Sequence, residues 1–279
     1  MDNHVITETD LENYRNYLLR CEKRKLTIEK YIRDLRKLNE FLGDREITKE
    51  SLIDYKKYLI DNYSVSSINS MLSAVNSYME YAGWTCYKVK ALKSQRKVYC
   101  PKEKELTKEE YFRLVDTARK KHRERIGLII QTICSTGIRI SELDYVTVEA
   151  AEKGEITVEC KGKYRQVFMP KKLQEYLIQY IRQQNIGDGR IFVTKSGTRM
   201  NRSNIWKEMK ALCREARVPE SKVFPHNLRH LFARTYYTME KDIAKLADLL
   251  GHSSIDTTRI YIMTSGEEHR RQIEEMKLV

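Results

Sequence analysis

The chain contains six residues whose types suit the cleavage of a phosphodiester bond by a tyrosine hydroxyl. They are Arg139, Lys161, His226, Arg229, His252 and Tyr261. Guanidinium groups bind phosphate oxygens through paired donors, and a lysine or a histidine can transfer protons to and from the reacting oxygens. The tyrosine would form a covalent bond to phosphorus. These residue types therefore predict a transesterification that needs neither a metal nor another cofactor.

The first arginine follows a helix with an apolar face and a break in the helical pattern. Gly137 lets the backbone turn sharply, so that Arg139 is presented to a cleft. The surrounding residues are Ser-Thr-Gly-Ile-Arg-Ile-Ser-Glu-Leu. Glu142 in this segment is predicted to orient a neighbouring catalytic side chain, and a surface carboxylate is the alternative.

The segment Pro-His-Asn-Leu-Arg-His predicts the start of a helix, because proline favours the first helical position. His226 and Arg229 are then neighbours at positions i and i+3, close to free N–H groups that favour phosphate. The alternative is a metal site, with His226 and His230 four residues apart on one face. A hydrolytic zinc helix carries a glutamate where this chain has Asn227, and Arg229 would repel a divalent ion. His230 is therefore predicted to be a packed, hydrogen-bonded structural residue.

Two further segments hold the remaining members of the set. Residues 156–159 alternate between apolar and polar side chains, which predicts a strand. Lys161 lies in the turn that follows, within Cys-Lys-Gly-Lys-Tyr-Arg, and residues 166–169 return as the partner strand. His252 follows a helix predicted over 240–250, and Tyr261 ends the run Leu-Leu-Gly-His-Ser-Ser-Ile-Asp-Thr-Thr-Arg-Ile-Tyr.

In their order and contexts, these segments resemble the tyrosine recombinase (phage integrase) family. The resemblance implies that Tyr261 attacks a DNA phosphate, that His252 donates a hydrogen bond to it, and that Lys161 protonates the departing 5′ oxygen. It also implies a site-specific recombinase that works as a homo-tetramer on paired sites, for integration, excision or resolution, and the target is either a mobile element, a dimer to be resolved or a segment to be inverted. The alternatives are a topoisomerase of similar chemistry and a non-catalytic DNA-binding regulator on the same scaffold.

The composition agrees with a nucleic-acid partner. Lysine and arginine number 52 against 39 acidic residues, which gives a formal charge of +13. Double-stranded DNA is the expected polyanion, and a membrane surface or an RNA scaffold is the alternative. No apolar run approaches the ~20 residues of a membrane span, and the N-terminus does not resemble a secretion signal. The six cysteines are scattered, which favours reduced thiols in a cytoplasmic protein.

The pattern along the chain predicts a mainly α fold with a small β-sheet. Residues 1–87 show four amphipathic stretches, which predict a small all-α bundle. The family resemblance implies that this bundle is a core-binding domain of the SAM-like type. Residues 88–105 lose this periodicity and are rich in lysine and arginine, so they form either a DNA-contacting basic linker or a solvated tether. Residues 106–279 form a mixed catalytic domain with a tail over 262–279. The family resemblance implies that this tail docks on a neighbouring protomer, and a loose tail is the alternative. Helices are predicted in this domain over about 108–120, 125–135, 172–184, 201–216 and 240–250, and Thr107 followed by Glu110 predicts a capping box at the start of the first.

Further residues are predicted to contact DNA from exposed helices, the linker and the hairpin. They are Ser67, Asn69, Arg96, Lys97, Lys163, Arg165, Arg202 and Lys207. Contacts to phosphates position a protein on the duplex, and phosphate anchoring is the simplest role of Lys163 and Arg165. Accessory DNA-bending or directionality proteins are further expected partners.

Overall fold

The computed structural model describes residues 4–93, 105–160, 163–194, 196–252, 254–261 and 266–276. The chain divides into two compact units, residues 1–96 and 97–279. In these ranges, no helix combines the length and the apolar character needed to cross a membrane.

Four helices build the N-terminal unit, as the sequence predicts. They are α1 (Glu8–Arg20), α2 (Lys25–Leu42), α3 (Lys49–Asn62) and α4 (Val65–Tyr81), followed by a short 3₁₀ helix over Thr85–Tyr87. Reciprocal capping boxes begin α1 and α3, formed by Thr7 with Asp10 and by Thr48 with Ser51. Each box satisfies two N–H groups that the first turn leaves without helical partners. The apolar faces of all four helices meet in one core.

Asparagine side chains tie the segment after the 3₁₀ helix to α4. The amide of Asn76 donates to the carbonyl of Val89 (2.8 Å) and accepts from its N–H (2.9 Å), and Asn69 does the same with Leu92 (2.9 and 2.8 Å). Val89 is buried in the helical core. The helical unit therefore extends past Lys88, where the sequence placed the start of the linker, because these contacts bury an apolar side chain and pair its backbone. Residues 94–104 of that linker lie outside the described residues.

The second unit combines helices with one two-stranded antiparallel sheet. Its elements are α5 (Lys108–Lys120), α6 (Glu124–Thr136), a 3₁₀ helix (Ile140–Tyr145), α7 (Val148–Lys153), β1 (Glu155–Cys160), β2 (Lys163–Phe168), α8 (Lys171–Gln183), α9 (Arg202–Ala216), a 3₁₀ helix (Glu220–Lys222), α10 (Pro225–Glu240), α11 (Ile243–Leu250), α12 (Ile255–Arg259) and α13 (Gly266–Glu275). The strands pair Glu155 with Phe168 and Cys160 with Lys163. The predicted capping box of Thr107 and Glu110 is present at the start of α5.

The helix predicted over 240–250 begins later than expected. Lys241 adopts a left-handed conformation (φ +56°) that ends α10. The side chain of Asp242 then accepts hydrogen bonds from the N–H groups of Ala244 and Lys245, both at 2.9 Å. An aspartate in this position caps a new helix, so that α11 starts at Ile243 and changes the direction of the chain.

Helix α6 forms the centre of the second unit and ends at the site. Its residues Ile129, Ile130 and Ile133 are fully buried, because both flanks of the helix are covered by other elements. Gly137 ends α6 in a left-handed conformation (φ +67°), and a β-carbon there would overlap the ring of Phe232. The glycine therefore allows both the turn and the close approach of α10.

We expect Gly137→Ala to lower the free energy of unfolding by about 2–5 kcal/mol, since it combines left-handed strain with overpacking. Gly197→Ala is the matched control: that glycine also has a positive φ (+74°), but no atom of the described residues lies within 4 Å of the added carbon. The control should lose only about 1 kcal/mol. Urea unfolding of both variants measures the difference, and equal losses would contradict the packing argument.

Candidate active site

The guanidinium of Arg229 lies at the centre of the predicted site, with only 1% of the residue exposed. Its Nη1 donates to the carbonyl of Gly137, and its Nη2 donates to the carbonyl of Leu250 at 2.7 Å. Nη2 also lies 2.9 Å from Nε2 of His252. The two carbonyls stand at the C-terminal ends of α6 and α11, where the helix dipole favours a cation. Two helix ends thus hold one buried positive charge.

Burial and a neighbouring cation make the charged form of Arg229 less favourable than it is in water. Burial, followed by repulsion from Arg139, lowers the pKa of Arg229 to about 10. The group therefore remains protonated at neutral pH. Its Nε atom is buried without a hydrogen-bond partner in the described part of the chain. Such a donor is unsatisfied, and an anionic oxygen would be a suitable partner for it.

Tyr261 lies in the same pocket, with 5% of the residue exposed. The centroid of its ring is 5.2 Å from the ring of His226, 4.3 Å from that of His230 and 5.3 Å from that of His252. The guanidinium carbon of Arg229 lies 5.8 Å from the same centroid. The tyrosine also packs against the apolar side chains of Ala233, Leu246 and Leu250. The structure therefore gathers the predicted nucleophile, one arginine and three histidines within a single chain.

Glu142 joins two further cations at the edge of the pocket. Its Oε1 accepts from Nη1 of Arg139 at 2.9 Å, and its Oε2 accepts from Nη2 of Arg165 at 2.6 Å and from the backbone N–H of Arg139 at 2.7 Å. Burial raises the pKa of Glu142, but the backbone hydrogen bond and the two guanidiniums outweigh it, so that the pKa is lowered. The carboxylate is buried and orients Arg139, as the sequence predicts, and it is not a surface carboxylate.

Arg165 points into this pocket. Besides Glu142, its Nη1 donates to the carbonyl of Leu249 at 2.7 Å, and its side chain is 15% exposed. A β-carbon on Gly251 would lie 2.7 Å from Cδ of Arg165. The arginine was predicted to contact DNA phosphate, and the structure places its guanidinium between Glu142 and the end of α11. Periodicity could not have shown this, because the partners lie 23 and 84 residues away.

The histidines of the pocket are held in the neutral state. Burial and then Arg229 lower the pKa of His252 to about 4, and burial and then His226 lower the pKa of His230 to about 4. The pKa of His226 is lowered in the same way, by burial and then by Arg229 and Arg139, although this residue is exposed at the rim. His226 therefore combines access to solvent with a ring that accepts a proton.

The other predicted site residues lie on other elements or outside the described chain. Lys161, Arg96 and Lys97 are outside the described residues, and Lys163 is described only by its backbone in β2. Asn69 uses both ends of its amide on Leu92. Ser67 is exposed in the first turn of α4. Arg202 and Lys207 are exposed on α9.

One residue of the pocket was missed from the sequence. Thr258 is fully buried in α12, and its hydroxyl lies 2.8 Å from Nδ1 of His252. Its carbonyl accepts from the N–H of Tyr261 at 2.9 Å. The only available signal was its position inside the segment that ends in Tyr261, three residues before the tyrosine.

We expect the unfolding free energy to fall as the pH is lowered from about 6.5 to about 4. The unfolded chain binds protons on His230 and His252 in this range, near the ordinary histidine pKa, whereas the folded chain does not. Stability is therefore fully present above the unfolded pKa and is lost towards the folded one. Replacing His230 by Gln should reduce the loss between pH 7 and 4.5 by roughly 1–2 kcal/mol.

Urea unfolding at a series of pH values measures this effect. His122→Gln is the control, because His122 is an exposed histidine of the same unit, and the change in the pH profile should be larger for His230→Gln than for this control. A profile for His230→Gln that matches the wild type would contradict the burial argument.

Known proteins resemble this chain over nearly its whole length. The tyrosine recombinase XerA of Pyrococcus furiosus is 31% identical over 279 residues, which cover 96% of this chain and 94% of the relative. Among solved structures, XerH bound to its difH substrate has a TM-score of 0.72 at 21% identity, covering 97% of this chain and 85% of that one. A λ integrase tetramer bound to a Holliday junction has a TM-score of 0.73 at 18% identity, with coverages of 93% and 78%. These structures share the fold of the chain.

Family models agree with both units. The model of the N-terminal SAM-like domain of phage integrases matches residues 11–85. The model of the phage integrase family matches residues 104–268, a range that contains all six residues predicted to act on phosphate. With the XerA relative, this match shows that the chain belongs to the phage integrase family and is a tyrosine recombinase, an enzyme that cleaves and rejoins DNA at specific sites.

Proposed function

We propose that the chain recombines DNA through Tyr261, which becomes linked to the 3′ phosphate of the cleaved strand. The observation that carries this proposal is the position of the tyrosine ring, 5.2 Å from His226 and 5.3 Å from His252, with the guanidinium of Arg229 at 5.8 Å. Nucleophile, proton acceptor and cation thus come from one chain. No second protomer is needed to complete this part of the site.

The first step requires a base. A phenol in water with a pKa of ~10 is about one part in a thousand ionised at neutral pH, and supplying the anion costs roughly 4 kcal/mol. His226 is assigned as the acceptor of the phenolic proton, because its ring is neutral, exposed at the rim and next to Tyr261. A positioned base of this kind contributes about 10²–10⁴ in rate.

The cations stabilise the charge that develops on phosphorus. Arg139 is held by Glu142 through one nitrogen, and 37% of its side chain remains exposed to an incoming phosphate. Arg229 contributes positive charge from the floor of the pocket. Fixed donors aimed at a developing oxyanion are each worth about 10²–10³ in rate.

The reaction conserves the energy of the broken ester. The Tyr261 oxygen forms a bond to phosphorus as the 5′ oxygen leaves, and Lys161 is assigned to protonate that oxygen by its resemblance to the family lysine. A 5′ hydroxyl of the partner duplex then attacks the phosphotyrosyl bond, which returns the phenol. Four protomers would complete the strand exchange through a four-way junction, an arrangement supported by the λ integrase tetramer. The proposed location is the cytoplasm.

We expect Tyr261→Phe to form no covalent adduct with a nicked suicide substrate, because the attacking oxygen is absent. Its affinity for the same duplex should stay within about threefold of the wild type, since binding rests mainly on phosphate contacts. The control is Tyr176→Phe, a partly buried tyrosine of the same unit on α8. This control should form the adduct normally.

Denaturing gels measure the adduct and mobility shifts measure binding. Adduct formation by Tyr261→Phe would reject the tyrosine as nucleophile. Relaxation of supercoiled DNA by the wild type without exchange between two sites would favour a topoisomerase instead.

We further propose that helix α13 contributes to assembly on DNA. Its side chain Ile273 is 56% exposed, and Met276, which follows the helix, is 59% exposed. Exposed apolar side chains on an otherwise charged helix fit a protein partner. Removing the residues after Ser265 should leave monomer binding intact and weaken the tetramer on paired sites at least tenfold.

Native gels with one site and with two sites measure these effects. The double variant Ile273→Glu with Met276→Glu should reproduce the truncation, and Glu274→Gln is the control on the same helix. Full tetramer formation by the truncated chain would reject this role of the tail.

A further inference from the structure

Thr258 and Arg229 each lie within hydrogen-bond distance of one nitrogen of the His252 ring. Oγ1 of Thr258 lies 2.8 Å from Nδ1, and Nη2 of Arg229 lies 2.9 Å from Nε2. An arginine has donors only, whereas a hydroxyl has one donor and two acceptor positions. Arg229 therefore requires an acceptor on the ring, whereas Thr258 can pair with either a donor or an acceptor.

Arg229 determines which nitrogen of the His252 ring carries the proton in this structure. Because its guanidinium donates, Nε2 must accept, and the ring proton must lie on Nδ1. Oγ1 of Thr258 then accepts from Nδ1–H. A doubly protonated ring would set a third positive charge beside Arg229 and Arg139, and the lowered pKa of His252 reflects this cost together with burial.

This arrangement does not suit a histidine that donates to phosphate through Nε2. An anionic oxygen accepts hydrogen bonds and offers none, so it requires a proton on Nε2. The neutral ring meets this requirement only when Nδ1 gives up its proton to solvent and Nε2 takes one from solvent. Nδ1 then becomes an acceptor, and its partner must donate.

A hydroxyl is the group that fits both states of Nδ1. On these grounds we infer that Thr258 is a positioning residue for His252, with a hydroxyl that accepts from Nδ1–H without DNA and donates to Nδ1 when phosphate is bound. Rotation of the hydroxyl about the Cβ–Oγ1 bond changes Thr258 from acceptor to donor while the ring stays in place. Thr258 is suited to this because it is buried in α12 and because its carbonyl also holds the N–H of Tyr261.

The consequence is a coupling between phosphate binding and the ring proton. Phosphate oxygens compete with Nε2 of His252 for the N–H groups of Arg229. When a phosphate accepts these hydrogen bonds, Nε2 no longer accepts from Arg229 and can carry a proton. The histidine becomes a donor only when its ligand is present. This inference rests on the proposed function, because the switch has a use only if a phosphate enters this pocket.

The first experiment measures the ring proton directly. Protein labelled with ¹⁵N-histidine gives nitrogen shifts that separate the Nδ1–H from the Nε2–H form, and His252→Gln assigns the signal among the six histidines. We expect the Nδ1–H form in the free wild type and the Nε2–H form with a duplex that carries a recombination site. An Nε2–H form in the free protein would overturn the inference.

The second experiment compares Thr258→Val with Thr258→Ser. Valine keeps the shape but has no hydroxyl, so it should slow adduct formation by about tenfold or more, in line with one lost hydrogen bond, without a matching loss of DNA affinity. Serine should restore the rate to within about threefold. Thr257→Val is the control, because Thr257 is the exposed neighbour on the same helix.

The outcomes separate this inference from the proposed function. Normal cleavage by a folded Thr258→Val protein, together with adduct formation by the wild type, rejects the role of Thr258 and leaves the function standing. If the wild type forms no adduct, the proposed function is rejected. The nitrogen shifts of the free protein still show which nitrogen of the His252 ring carries the proton. If the melting temperature shows that Thr258→Val is unfolded, the inference is tested by the cleavage rate of Thr258→Ser and by the nitrogen shifts of wild-type His252.

Discussion

The site depends on the burial of one positive charge. A guanidinium removed from water costs several kcal/mol unless its donors find acceptors, and Arg229 is 1% exposed. Two backbone carbonyls, at Gly137 and Leu250, supply those acceptors. Because each carbonyl ends a helix, the dipoles of α6 and α11 point their negative ends at the same cation. The charge thus brings three helices to one point.

The glycines around the pocket follow from this convergence. Gly137 takes a left-handed conformation directly after α6, and a side chain there would overlap the ring of Phe232 on α10. Gly251 has the same role after α11, where a β-carbon would lie 2.7 Å from Arg165. Both helices can therefore end with their carbonyls directed at arginines. The free backbone conformation of glycine is used here to position charge.

In the described part of the chain, most polar groups of the pocket have hydrogen-bond partners from the protein itself. Glu142 holds Arg139 and Arg165, while Arg229 donates to two carbonyls and to His252. A phosphate entering the pocket must therefore exchange existing hydrogen bonds for new ones. The existing hydrogen bonds stabilise the pocket with several cations close together. The exchange makes the donor state of His252 a consequence of phosphate binding.

The sequence alone determined the parts that depend on local pattern. The amphipathic helices, the capping box at Thr107, the hairpin and the segments around Arg139, Arg229 and Tyr261 were all predicted, because each is encoded within a few neighbouring residues. Tertiary structure decided the partners: Arg229 with a carbonyl 92 residues away, Arg165 with Glu142, and the Thr258 hydroxyl with His252. It also decided that Asn69 holds the chain at Leu92. Such contacts depend on how helices end and meet, which no periodicity records.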